Sequence, residues 1–243
     1  MLRTSVFCAA FVALIASLPA QAGDYNWSGL YLGAHGGYGW ADTDYPGAPA
    51  YPAGAPRPDL EGGLVGGQIG YNHQINNFVL GVEADYSFTR MQETVRDGNY
   101  LTQDHEINGL GSIRGRIGFA ASNWLIYGTA GWAWNRASFN QTCPDGAQFG
   151  HCRPAAAGQY SLSKDETESG WVYGAGVESG ISDNWSVRAE YLRYDFDSQG
   201  YNLGSAPSGA VIGTKTLEHQ VDVVRLGVNY RFGGDRSSAV PLK

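Results

Sequence analysis

Residues 217–232 read LEHQVDVVRLGVNYRF, and from Asp222 onward they alternate. Val224, Leu226, Val228, Tyr230 and Phe232 share one face, while Val223, Arg225, Gly227, Asn229 and Arg231 share the other. Successive side chains of a strand point to opposite faces. One face here is oily and ends in two aromatics; the other is small or polar. A soluble sandwich strand could show the oily face, but aromatics at the rim of an apolar band suit a membrane-spanning barrel strand better.

Seven more segments follow the same rule. The spacing predicts strands over Gly29–Ala41, Gly63–Ile75, Phe78–Arg90, Glu106–Phe119, Trp124–Ala137, Ser169–Ile181 and Trp185–Asp197. In the third, Phe78, Leu80, Val82, Ala84, Tyr86 and Phe88 oppose Glu83, Asp85, Ser87 and Thr89. In the fourth, Ile107, Ile113, Ile117 and Phe119 oppose Asn108, Ser112, Arg114 and Arg116. The connections alternate between long (42–62, 91–105, 138–168, 198–216) and short (76–77, 120–123, 182–184). Five of the ten prolines fall in 42–62, where missing donors exclude a strand, and no predicted strand interior contains one. Short periplasmic turns and long external loops are the habit of outer-membrane barrels. The expectation is all-β: an eight-stranded antiparallel up-and-down transmembrane β-barrel, with both termini on the periplasmic side.

Length, composition and leader agree. The chain has 243 residues, enough for one closed barrel. Met1–Leu2–Arg3 is a short basic start, Val6–Leu18 an apolar run, and Ala20–Gln21–Ala22 an A-x-A cleavage site. Residues 1–22 therefore read as a signal peptide, 23–232 as the barrel and 233–243 as a short flexible tail. No stretch approaches the roughly 20 continuous apolar residues of a membrane helix. Thirty-five glycines, fifteen tyrosines and seven tryptophans against two methionines suit a barrel in which only alternate residues face lipid. A formal charge of −7 argues against nucleic acid as a partner. Cys143 and Cys152 are the pair left after processing, nine positions apart in one loop of an exported chain, so a disulfide between them is expected. A lone pair offers too few ligands for a metal.

The inward faces carry Glu83, Asp85, Arg114, Arg116, Glu178, Arg188, Glu190 and Arg225, four acids and four bases. An eight-stranded barrel is only just wide enough inside to be filled by side chains. Unpaired charge there is costly, so mutual pairing that closes the lumen is expected. A narrow ion path gated by the same network is the sharper alternative. A general diffusion pore is excluded on width, since an aqueous channel needs about 16 strands. The outward aromatics, among them Trp40, Tyr71, Trp132, Trp171 and Trp185, read as interface girdles rather than a ligand platform.

The blocks NWSGLYLGAHGGYGW, GGQIGYNHQINNFVLGVEADYSF, SIRGRIGFA, LIYGTAGWAW, GWVYGAGVE, VRAEYLRYDF and VRLGVNYRF resemble the small outer-membrane β-barrel family common in alphaproteobacteria. Members of that family are described as porin-like and some as haemin-binding, and the transmembrane domain of OmpA is similar at greater distance. The resemblance spans nearly every predicted strand and implies an outer-membrane location. The four long loops carry none of it. Chains of the family typically end on the final aromatic, an assembly signal, whereas eleven residues follow Phe232 here.

No enzyme is expected. His35, His73, His105, His151 and His219 form no H-x-x-x-H pattern, and no serine lies in G-x-S-x-G. His219 and Asp222 are near in sequence but fall on opposite strand faces. His151, beside Cys152, with Tyr160 nearby, is the candidate for a haem ligand that the resemblance brings forward; otherwise no cofactor or metal is expected. The expected partners are outer-membrane lipid and lipopolysaccharide, the barrel assembly machinery, and an unidentified surface ligand. Three roles follow in order: a structural barrel supporting envelope integrity, a surface binding protein for haemin or for host and cell adhesion acting through its external loops, and a narrow ion channel.

Overall fold

The computed structural model describes residues 25–44, 59–97, 101–143, 160–202 and 214–232. Eight strands run in chain order: β1 (Gly29–Asp44), β2 (Asp59–Ile75), β3 (Phe78–Asp97), β4 (Leu101–Ala121), β5 (Trp124–Cys143), β6 (Tyr160–Gly180), β7 (Trp185–Asn202) and β8 (Thr214–Arg231). Each pairs antiparallel with its neighbours, and β8 closes on β1. Closure leaves no strand edge in the part that crosses the bilayer, as lipid requires, while the outer extensions of β3 beyond Thr89 and of β6 before Gly170 pair on one side only.

The register fixes the tilt. Paired residues followed round the wall from Trp40 through Asp222, Arg193, Tyr173, Ala130, Gly115, Val82 and Tyr71 return to β1 at Leu30, ten residues away. A stagger of ten over eight strands inclines them by about 40° to the axis. Asn76 and Ser122 open the two-residue β2–β3 and β4–β5 turns with φ of 54° and 56°. A positive φ at the first central residue matches the primed hairpin turns, whose twist suits the flanking strands.

Burial runs inside out. Phe88, Val65 and Val82 are 66%, 63% and 61% exposed on the outer wall, while Arg225 and Arg114 are 0% and 1% exposed within. The outward and inward sets of β3, β7 and β8 are those the alternation predicts.

Two expectations are corrected. The strands run 16 to 21 residues, reaching into stretches expected as loops or turns: 42–44, 59–62, 91–97, 101–105, 120–121, 138–143, 160–168, 198–202 and 214–216 are strand, so the proline-rich 42–62 is strand at both ends. A membrane crossing needs only about 9–11 residues, so this excess stands beyond the apolar band. Beyond that band the outer face needs no lipid-facing residues, so the period-2 signature of sequence vanishes although the ladder continues. Ile107, expected on the lipid side, is 2% exposed inside the barrel. The ladders of β4 with both neighbours shift register at Asn108, which reverses the parity of the residues beyond it. The leader 1–22, the tail 233–243, His151 and the side chains of Cys143 and Cys152 lie outside the described residues.

Candidate functional site

Along each strand the inward residues change character in the same order. Near the periplasmic turns Val79, Ala120, Leu125 and Tyr127 pack with Tyr25 and Trp27 into one apolar layer. Tyr25 and Trp27 precede β1 and cross beneath the barrel, their rings 4.5 Å apart. Trp27 N donates to Gln74 Oε1 at 2.8 Å, and the Arg231 guanidinium lies 4.9 Å from the Tyr25 ring. Toward the outside a second apolar layer gathers Leu64, Met91, Leu110, Val172, Leu192, Tyr194, Phe196 and Val223, among others. The eight charged residues lie between these layers.

The structure brings all eight together. Glu83 is the hub: Arg114 donates to its Oε1, Arg188 Nη1 to its Oε2 at 2.5 Å, and Tyr31 hydroxyl to its Oε2 at 2.6 Å. Arg114 also reaches Glu190 at 3.1 Å and Asp85 at 3.2 Å. Arg225 donates Nε to Glu190 at 2.7 Å and Nη1 to Asp85 at 2.8 Å. Arg116 bonds Glu178 at 2.9 Å, and its guanidinium lies 3.9 Å from the Tyr127 ring centroid. Four carboxylates and four guanidiniums leave no formal charge. In so dry a place a single missing partner leaves an uncompensated ion, so the network holds the opposite walls together as a unit.

Uncharged members were not legible as such. Tyr31 and Tyr127 cap Glu83 and Glu190, Ser112 and Ser186 donate to Asp85 and Glu178, and Asn229 donates to Glu178 at 2.8 Å. His35 bridges Gln68 Oε1 and Ser87 Oγ at 2.5 and 2.7 Å. Alternation places these side chains inward, but only closure shows which charge each one serves. The two apolar layers are likewise not legible from parity, because an apolar side chain facing the lumen looks in sequence like one facing lipid.

Tyr31 needs Gly70 opposite it on β2, since a Cβ there would strike the phenol ring. Such glycine saddles let a large ring lie flat across the neighbouring strand.

Among the described residues, the outer wall carries a charged pair within its aromatic rim. Arg193 donates Nε and Nη2 to Asp222 at 2.8 Å each, and Tyr191 hydroxyl donates to the same carboxylate. Among the described residues no group of three or more His, Cys, Asp or Glu is placed to hold a metal ion.

The family model for the outer membrane protein beta-barrel domain matches residues 8–232. The 31 kDa outer-membrane immunogenic protein of Brucella melitensis is 29% identical over 252 residues, covering 96% of this chain and 95% of that one. The 22 kDa outer membrane protein of Rhizobium leguminosarum bv. viciae is 28% identical, covering 85% and 79%. Among solved structures, the outer membrane protein OprG of Pseudomonas aeruginosa is 14% identical with a TM-score of 0.46, covering 86% of this chain and 99% of that one. The family match extends from before the first strand to the aromatic that ends the last, so this chain belongs to the outer-membrane β-barrel protein family and resides in the outer membrane.

Proposed function

We propose that the protein is a structural element of the outer membrane, a closed barrel that supports envelope integrity and involves no catalytic step. The observation that carries this reading is the three-layered lumen, ionic in the middle and apolar at both ends. Such an interior resists water and ions and gives a stiff cylinder, at the expense of any passage through it. An ion path has less support, because two apolar layers cover the charges. A strain lacking the protein is expected to become sensitive to detergents and to leak periplasmic contents, with rescue by the wild-type gene. Unchanged sensitivity in the deletion strain would count against the structural role.

A second reading, surface recognition, is favoured by the strand extensions. β3 and β4 run on to Asp97 and from Leu101, and β5 and β6 to Cys143 and from Tyr160. They form a rigid wall carrying the external connections well beyond the apolar band, and loops on rigid scaffolds are where binding residues concentrate. Haemin is one candidate ligand, with His151 as its axial donor. Titration of haemin into wild-type and His151→Ala protein tests it; no Soret shift in either would dismiss the ligand.

A further inference from the structure

We propose that the outer rim of β3–β5 docks the phosphate of an outer-leaflet lipid and seats its acyl chains on the wall beneath. The proposal uses the outer-membrane location and is independent of what the lumen does. Arg90 on β3 and Arg136 on β5 both point outward and are exposed. They flank the register shift of β4 at Asn108: Gly109 pairs with Phe88 on one side and Arg136 on the other. Neither arginine has an ion-pair or hydrogen-bond partner among the described residues. Glu106, the nearest carboxylate along β4, is itself engaged.

The height of the two cations names the ligand. Immediately below them lie Tyr86 and Phe88, ring centroids 5.1 Å apart, and Trp132 and Trp134, 5.5 Å apart. Trp134 lies across Gly111, where a Cβ would strike its ring, so the two strands' aromatics close over β4. Aromatic girdles mark the boundary between hydrocarbon and headgroup. Two guanidiniums with no partner among the described residues, just outside that boundary, meet lipid headgroups, and phosphate is the anion their planar forks fit best. The opposite wall provides the contrast: Arg193 sits at a similar rim but is neutralised by Asp222.

Below the girdle, the outer wall from β3 to β7 carries an apolar groove of about 650 Å³ with Gly115, Gly128, Ala130 and Ala175 along its middle and Leu80 and Tyr191 at its two sides. On β5 the groove begins at Ala130, six residues inward of Arg136. That is about 20 Å along the strand at 3.3 Å per residue, a span a long saturated chain covers. A phosphorylated, multiply acylated lipid thus has both a headgroup contact and a seat for one of its chains on overlapping strands of the same wall.

The test is native mass spectrometry of lipid retained by the protein, purified from membranes in a zwitterionic detergent. The probes are a diphosphorylated lipid A, the same lipid with its phosphates removed, and inorganic phosphate. Wild type should retain the diphosphorylated lipid about tenfold better than the dephosphorylated one. Arg90→Gln with Arg136→Gln should erase that preference, while Arg90→Lys with Arg136→Lys should keep most of it. Ala130→Trp, filling the groove, should weaken both lipids alike. Equal retention of the two lipids by wild type, or an unchanged preference in the double Gln variant, would overturn the proposal. Displacement of bound lipid by inorganic phosphate alone would also overturn it, reducing the rim to a site for free anions. Heat-dependent gel mobility identifies the folded fraction, and binding is scored on that fraction only.

Discussion

Arg188 on β7 donates Nη1 to Oε2 of Glu83 on β3 at 2.5 Å, across the full width of the lumen. The two strands stand four places apart in a ring of eight, so the contact joins opposite walls. Its partners fasten it further: Arg114 on β4 and Tyr31 on β1 bond the same carboxylate. Four strands therefore meet at one side chain.

Removing that side chain should hurt more than any surface change. Glu83→Ala leaves Arg114 and Arg188 without a shared carboxylate in a dry interior, a loss of about 3–5 kcal/mol. Urea unfolding in lipid vesicles, followed by the heat-dependent gel shift, reads it directly. A midpoint equal to wild type would show that Glu83 is not the hub.

The pair should be strongly coupled. In a double-mutant cycle of Glu83→Ala and Arg188→Ala, the double variant is expected to be more stable than the two single losses added together. The interaction energy should fall in the range of about 0.5–3 kcal/mol. Simple additivity would mean that the cross-lumen contact contributes nothing of its own.

Gly70→Val forces a side chain into the ring of Tyr31, which otherwise lies over that glycine. Overpacking of this kind costs about 1–3 kcal/mol, with loss of the 2.6 Å bond from Tyr31 to Glu83 as part of it. The same substitution made together with Tyr31→Ala should cost clearly less than in the wild-type background. Equal cost in both backgrounds would place the strain elsewhere.

The outer wall obeys the opposite rule from the inner one. Val82 is 61% exposed and faces lipid near mid-height, so Val82→Lys should destabilise by about 2–4 kcal/mol. Phe88→Lys, at the outer rim, should cost less because the ammonium reaches the interface. A soluble-protein surface would tolerate both; equal tolerance in vesicle unfolding would refute the lipid-facing assignment.

Planar bilayers should show no steady conductance for wild type. The two apolar layers also predict none for Arg188→Ala, since Leu192, Tyr194 and Phe196 still cover the ionic layer on one side and Trp27 and Leu125 on the other. Stable openings from Arg188→Ala alone would show that the charges, not the apolar layers, seal the barrel.

The sequence by itself determined the strand number and the side of the wall on which each of the eight charges lies through alternation, the up-and-down order through connection lengths, and the outer-membrane address through the leader and the family resemblance. Alternation could do so because a strand in this setting faces lipid on one side and packed lumen on the other, and a period of two records that difference residue by residue. Beyond the apolar band, where the outer face no longer needs lipid-facing residues, the record stops. That is why the outer reaches of all eight strands resemble loops, and why one irregular residue, Asn108, sufficed to misplace Ile107. Which arginine meets which carboxylate was decided only by the tertiary structure. Pairings such as Arg188 with Glu83 join residues 105 positions apart, and it is the closure of eight tilted strands with a stagger of ten that sets them at one height on facing walls.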